Sequence, residues 1–260
     1  MSILEGALTS AKGKDPLIMT ICGDAGSGKT SLAATFPNAF IIRTQGEAMP
    51  RDINDDNAPV GLAPIGGKRI KQGDTDIWDE SELFDQLMAL LRDEHQYKTL
   101  IVDSVTGIEN LFVTNIIDVQ PTKQKTMNAA GSGFGSAWDI VAGKHGRIKK
   151  AAELLRDRKG MNIIFIAHVD VNRIDPPESE AYTRYELQLH KKTAPIYINN
   201  VDVVGCLKQE TFIMEGGKAK TSGERVLSVA MTPANVSKNR LGITSDIPVK
   251  KGENPFKEFI

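Results

Sequence analysis

The octapeptide GDAGSGKT at residues 23–30 constrains this chain more than any other stretch. Gly23, Gly28, Lys29 and Thr30 fill the fixed places of G-x-x-x-x-G-K-[ST]. Glycines let the backbone N–H groups of Asp24, Ala25, Gly26, Ser27 and Gly28 close around phosphate oxygens. A helix that opens at the loop favours an anion at its N-terminus. Lys29 has the length to reach the β- and γ-phosphates of a nucleotide, and the hydroxyl of Thr30, followed by Ser31, can ligate Mg²⁺. The motif works only between a buried strand and a helix, and both neighbours fit. LIMTIC (17–22) is a short apolar run of strand formers, and a helix from about Gly28 must stop before Pro37.

The same alternation continues along the chain. AFIIR (39–43), TLIVD (99–103) and NIIFIAH (162–168) read as further buried strands. Residues 79–95 form an amphipathic helix with Leu83, Phe84, Leu87, Met88, Leu90 and Leu91 on its apolar face. Helices are also predicted from about Ser104 to Ile117 and up to about Arg158. Residues 48–77 read as loop or hairpin, and 171–192 as a long loop. From 196 to 231, short β-like runs alternate with turn signals. These features predict an α/β fold: a mainly parallel sheet with helices on both faces and a β-rich C-terminal portion. One domain is expected, with an extension over 1–16, a core over 17–208, and hairpins and tail over 209–260.

In such sheets the ligand lies beyond the carboxyl ends of the strands. Asp103 ends one strand there and can hold the Mg²⁺ shell through water. His168 ends another, within reach of the γ-phosphate or the attacking water. Gln45 and Glu47 follow the second strand, and Glu109 lies on the helix after Asp103. A general base must be a carboxylate within hydrogen-bond reach of water, so Glu47 leads and Glu109 follows.

Composition narrows the class further. Net charge is −1, so any site for a polyanion is a local patch. Cys22 and Cys206 lie far apart in sequence, which fits a reducing compartment and no metal framework. The first residues have no secretion signal, and no apolar run approaches membrane-spanning length, so a cytoplasmic protein with no membrane role is expected. Asn-Lys-x-Asp, the guanine signature, is absent, and so is an LSGGQ-like stretch.

Charge is also unevenly laid out. Lys123, Lys125, Lys144, Arg147, Lys149 and Lys150 stand against Asp139 between 120 and 150, while residues 47–94 carry 12 acids and 5 bases. Phe134 and Trp138 interleave with the cations, a composition that suits single-stranded nucleic acid. In a second stretch Arg173 and Arg184 stand among four acids. In SKNRLGIT (237–244), Lys238 and Arg240 are two apart, so an extended segment points both to one side and Asn239 to the other.

Taken together, GDAGSGKT, TLIVDSVTGIE, GFGSAW, NIIFIAH, APIYINNVDVVGCL and SKNRLG resemble the RecA/RadA/DnaB-like P-loop ATPases. More closely, they resemble phage-encoded ATP-binding proteins held to act as RecA-like single-strand annealing recombinases. The resemblance covers residues 17 to about 245. It implies ATP and Mg²⁺ as ligands, single-stranded DNA as a partner, a host-cytoplasm setting, and self-association as a head-to-tail ring or filament. A single-strand DNA-binding protein is a further candidate partner. It implies two DNA-binding loops, at 121–137 and 171–193. It also implies that Lys238 and Arg240 reach across a subunit boundary to the neighbour's γ-phosphate. One departure stands out: relatives carry an acid after the second strand, where this chain has Gln45 in RTQGEA. Two other readings stay open: a helicase-type motor, and a nucleotide-gated DNA-binding regulator with little hydrolysis.

Overall fold

Five apolar runs form the parallel centre of one sheet. The structure, a computed structural model, describes residues 15–50, 58–121, 125–177, 180–213 and 219–260. The central strands are β1 (Ile18–Cys22), β2 (Ala39–Arg43), β5 (Thr99–Asp103), β6 (Asn162–Ala167) and β9 (Val203–Ile213), in the spatial order β2-β5-β6-β1-β9. All four pairings between them are parallel. Every residue of β1, β5 and β6 is buried, which explains why these runs lack polar alternation. The sheet then turns antiparallel: β10 (Ala219–Ser228) returns along β9, and β12 (Ile247–Val249) borders β10. A short β11 (Lys238–Asn239) pairs with the amino end of β9.

The expected C-terminal hairpins begin later than predicted. Residues 194–197 form a 3₁₀ turn with Pro195 in it, and the chain becomes extended only at Val203. That strand joins the parallel centre before the antiparallel return. Cys22 and Cys206, distant in sequence, are register partners on β1 and β9, both buried and both free thiols.

Side chains alternate across the sheet into two cores. Ile18 and Cys22 point to one, with Leu100, Val102, Ile163 and Phe165. On that face lie α2 (Ser81–Arg92), α3 (Val105–Asp118) and α4 (Ala137–Lys159). Met19 and Ile21 point to the other, with Leu32 and Phe36 of the α1 segment (α1, Lys29–Ala33) and Phe256 from the C-terminal tail. Helix α1 tightens to i→i+3 bonds at Thr35 and Phe36 just before Pro37. Of the apolar face predicted for α2, Leu83, Leu87 and Leu90 are buried, whereas Met88 is exposed.

Two hairpins lie outside the main sheet. β3 (Arg69–Gln72) and β4 (Thr75–Trp78) turn at Gly73, and Asn115 of α3 clamps Trp78 by bonds to its N–H and C=O, at 2.8 and 2.9 Å. β7 (Val169–Ile174) and β8 (Tyr182–Leu187) form an antiparallel pair where a loop was predicted. Its alternation, Val169 and Val171 facing Leu187 and Tyr185, is interrupted by polar partners and by Pro176 and Pro177, so the sequence reads as loop.

Candidate nucleotide site

The carboxyl ends of β1, β2, β5 and β6 converge on one cleft of about 490 Å³. Its walls include Gly28, Lys29, Thr30, Ser31, Glu47, Asp103 and His168. The loop after β1 needs glycine at its bends: Gly26 has φ 76° and Gly28 φ 95°. Lys29 is buried and folds back on the loop, its Nζ donating to the carbonyls of Gly23 at 2.9 Å and Asp24 at 2.8 Å. Burial lowers its pKa, while Asp103 and Glu47 oppose that effect. The ammonium thus takes a position from which phosphate oxygens can replace two carbonyls.

Thr30 Oγ1 donates to Asp103 Oδ2 at 2.7 Å. With its proton so committed, the hydroxyl's lone pairs remain for a cation. Asp103 is almost fully buried, and burial pushes its pKa up to about 6 despite the Thr30 bond, with Glu47 adding repulsion. Lys29 and His168 pull the other way without offsetting that burial, so the carboxylate can take up further positive charge. That fits a Mg²⁺ ion held by Thr30 and phosphate oxygens, with Asp103 in its outer shell. Among the described residues, no group of three or more His, Cys, Asp or Glu can hold a metal without such help.

Glu47 reaches the cleft through a tight turn after β2. Its N–H donates to Thr44 O at 3.1 Å, and Gly46 takes φ 97°. Its carboxylate meets His168 Nε2 and accepts from Ser104 Oγ, both at 3.1 Å and both at Oε1. Oε2 has no hydrogen-bond partner among the described residues. The His168 bond, followed by the electrostatic pull of that ring and the Ser104 bond, holds the Glu47 carboxyl below the usual range. His168 is fixed in turn by its own N–H, which donates to Thr106 Oγ1 at 3.0 Å.

Two sequence candidates lie elsewhere. The same turn sends Gln45 away from the cleft, with its amide packed on Gly67 and its chain near Gly66. Gln45, at the position where the resemblance places an acid, therefore does not line the cleft. Glu109 is buried under the segment after β8 and accepts from His190 N at 2.7 Å. Four residues that sequence reasoning did not single out line the cleft: Ala48, Met49, Pro50 and Arg225. Arg225 lies on β10, about 200 positions from the loop, and no motif or spacing marks it.

The late cations sit at the other end of the strands. Lys238 Nζ donates to Asn199 O at 2.6 Å, and Arg240 Nη1 lies 3.7 Å from Asp202 Oδ1. Arg240 Nη2 also reaches Asn199 O, at 3.5 Å, so both cations share one side, and Asn239 turns inward to Val229 O and Ile243 O. Asp202 accepts from Ile18 N, at the start of β1. The phosphate loop lies at that strand's other end, about 13 Å of strand away.

The basic stretch divides. Lys123 lies outside the described residues. Lys125 is exposed. Phe134 is fully exposed at φ 52°, on a loop bent by Gly131, Gly133 and Gly135. Lys144 is instead paired with Glu80, just before α2, and the guanidinium of Arg147 lies 4.1 Å from the ring centre of Phe84 on α2. Lys149 is buried, bonded to Glu153 and Asn200 O. These cations latch α4 to its neighbours, because long side chains on a helix flank can satisfy an adjacent element as readily as a phosphate. Arg184 is held by Glu186 across from Asn172, while Arg173 is exposed on the hairpin. Trp138 stacks on His190 at 3.9 Å and 6°, and Lys192 bonds Asp139 at 2.7 Å, so the two stretches expected to meet DNA touch each other.

No helix among the described residues is long and apolar enough to cross a membrane. A family model described as an AAA domain matches residues 15–241. No curated protein matches the chain.

Proposed function

This chain belongs to the AAA-domain family, and from that premise we propose that it is an ATPase that binds single-stranded DNA and promotes annealing or pairing of strands, working as a head-to-tail assembly. The observation that carries the ATPase half is the cleft itself. Lys29, Thr30, Asp103, Glu47 and His168 come from four strand ends and line one space.

Each residue has a task there. Lys29 leaves the Gly23 and Asp24 carbonyls for phosphate oxygens. Thr30 and Asp103 would hold Mg²⁺, which would supply charge neutralisation and orientation of the phosphates. Glu47 accepts a proton from the attacking water at Oε2, while Ser104 and His168 hold Oε1. His168 is followed directly by β7, so a change at the γ-phosphate can move the hairpin. Lys238 and Arg240 sit far from their own loop and serve the site of the next copy. One surface gives the finger and another the loop, so the contact is heterologous and generates a ring or filament. An arginine supplied in this way raises turnover by roughly 10³–10⁵.

For DNA, support comes from the Phe134 loop with Lys125 and from Arg173 on the hairpin. An exposed ring gives a base a stacking surface, and nearby cations take the backbone. The rival reading, ATP as an assembly ligand with little turnover, draws on one observation. The Glu47 carboxyl is held low, which weakens it as a base.

ATP hydrolysis measured with and without single-stranded DNA, with sedimentation under the same conditions, tests the proposal. Stimulated turnover by an assembled form is expected. Binding without turnover supports the rival, and strand separation by the assembly supports a motor instead.

A further inference from the structure

Arg225 comes to the phosphate loop from the C-terminal part of the chain. On β10 it is in register with Gln209 of β9 and Val249 of β12. Its guanidinium lies against the loop: a Cβ built on Gly28 would stand 2.0 Å from Nη1. The side chain lines the same cleft as Lys29, Thr30 and Ser31. Glu47 and Asp103 also line that cleft, yet among the described residues no hydrogen bond or ion pair holds the guanidinium. Arg225 is half-buried, and a half-buried guanidinium without an anion forfeits charge-assisted bonds that its planar fork is built to make. The loop residues beside it offer backbone donors of the same kind, all suited to one polyanion.

We propose that Arg225 is a phosphate ligand in cis: its guanidinium takes oxygens of the polyphosphate bound by its own chain's loop. The inference rests on the nucleotide reading above and adds a division of labour to it. The cations of SKNRLG lie at the far end of β9 and belong to the neighbour's site, whereas Arg225 completes binding within one chain. A single copy then holds nucleotide fully, and only hydrolysis waits for assembly. A lysine, a point charge without the fork, replaces Arg225 only in part.

The test is equilibrium binding of ATP, ADP and adenosine to dilute, unassembled protein, for wild type, R225A, R225Q and R225K. Arg225→Ala is expected to weaken ATP and ADP binding by about 10- to 100-fold, as loss of a charge-assisted bond predicts, and to leave adenosine unchanged. Arg225→Gln keeps most of the side chain's length and packing on Gly28, so it must lose the same affinity. Arg225→Lys should recover part of it. If wild type binds neither nucleotide, the nucleotide reading itself fails. If wild type binds and R225Q binds as tightly, the nucleotide site stands and the proposal for Arg225 is overturned.

Discussion

Asp103 is where folding and chemistry oppose each other. Its carboxyl is raised from an ordinary 3.8 to about 6, chiefly by burial. The folded chain therefore holds this proton more tightly than the unfolded chain does. Stability from this group falls as pH rises from about 4 to about 6, and stays lower above that. At pH 7 the ionised group costs about 3 kcal/mol. Asp103→Asn keeps an acceptor for Thr30 and removes the charge. It should raise the Tm of the nucleotide-free protein by about 3–8 °C at pH 7 and by much less at pH 4, while abolishing Mg²⁺-dependent turnover. Thermal scans at the two pH values check the sign; an unchanged or lower Tm at pH 7 contradicts it. Glu47 has the opposite shift and stays ionised well into acid. Glu47→Gln should cut turnover by about 10²–10⁴ and leave ATP affinity within a few-fold, by steady-state kinetics beside binding. Lys29, Thr30 and Asp103 were legible in sequence because fixed spacing and strand-end position mark them. Glu47 led on chemistry alone, but that it points into the cleft while Gln45 points away was not legible, because it depends on the direction of one turn at Gly46. Arg225 was invisible because its place comes from strand pairing across the whole fold.

At the scale of elements, buried strands and strongly periodic helices were readable, since burial on both faces or on one stripe leaves a clear apolar pattern. The β7–β8 hairpin was not. One of its faces pairs Asp170 with Glu186 and Asn172 with Arg184, so half its pattern is polar. The cations of α4 are ambiguous in sequence for a related reason. A basic run has the same appearance whether it meets phosphate or a neighbouring helix, and Lys144 and Arg147 meet α2. Separate outcomes follow. Lys144→Ala should lower Tm with single-strand affinity unchanged, because its partners are Glu80 and the Phe112 ring. Phe134→Ala should leave Tm unchanged and weaken single-strand binding by about 5- to 100-fold, the value of one lost stacking contact. Thermal unfolding and DNA titration on both variants decide which cations and rings belong to the fold.

For the whole molecule, the sheet sets the distances. Its carboxyl edge carries the cleft, and the amino end of β9 carries Lys238 and Arg240, so one copy cannot easily bring the two together. A net charge of −1 gives no global field for a polyanion, so the proposed DNA contact has to be made by local loops, and the proposed assembly would not fight strong self-repulsion. If copies pack head to tail as proposed, these two ends form one catalytic unit at each junction, and turnover should rise with protein concentration faster than linearly. The most direct measurement is ATPase activity in a mixture of two variants with DNA present. Lys29→Ala spoils the loop and keeps the finger; Arg240→Ala keeps the loop and lacks the finger. Each should be inactive alone, and mixing should restore part of wild-type turnover, because some junctions join an intact loop to an intact finger. A mixture as inactive as its components, or full turnover by Arg240→Ala alone, contradicts the account.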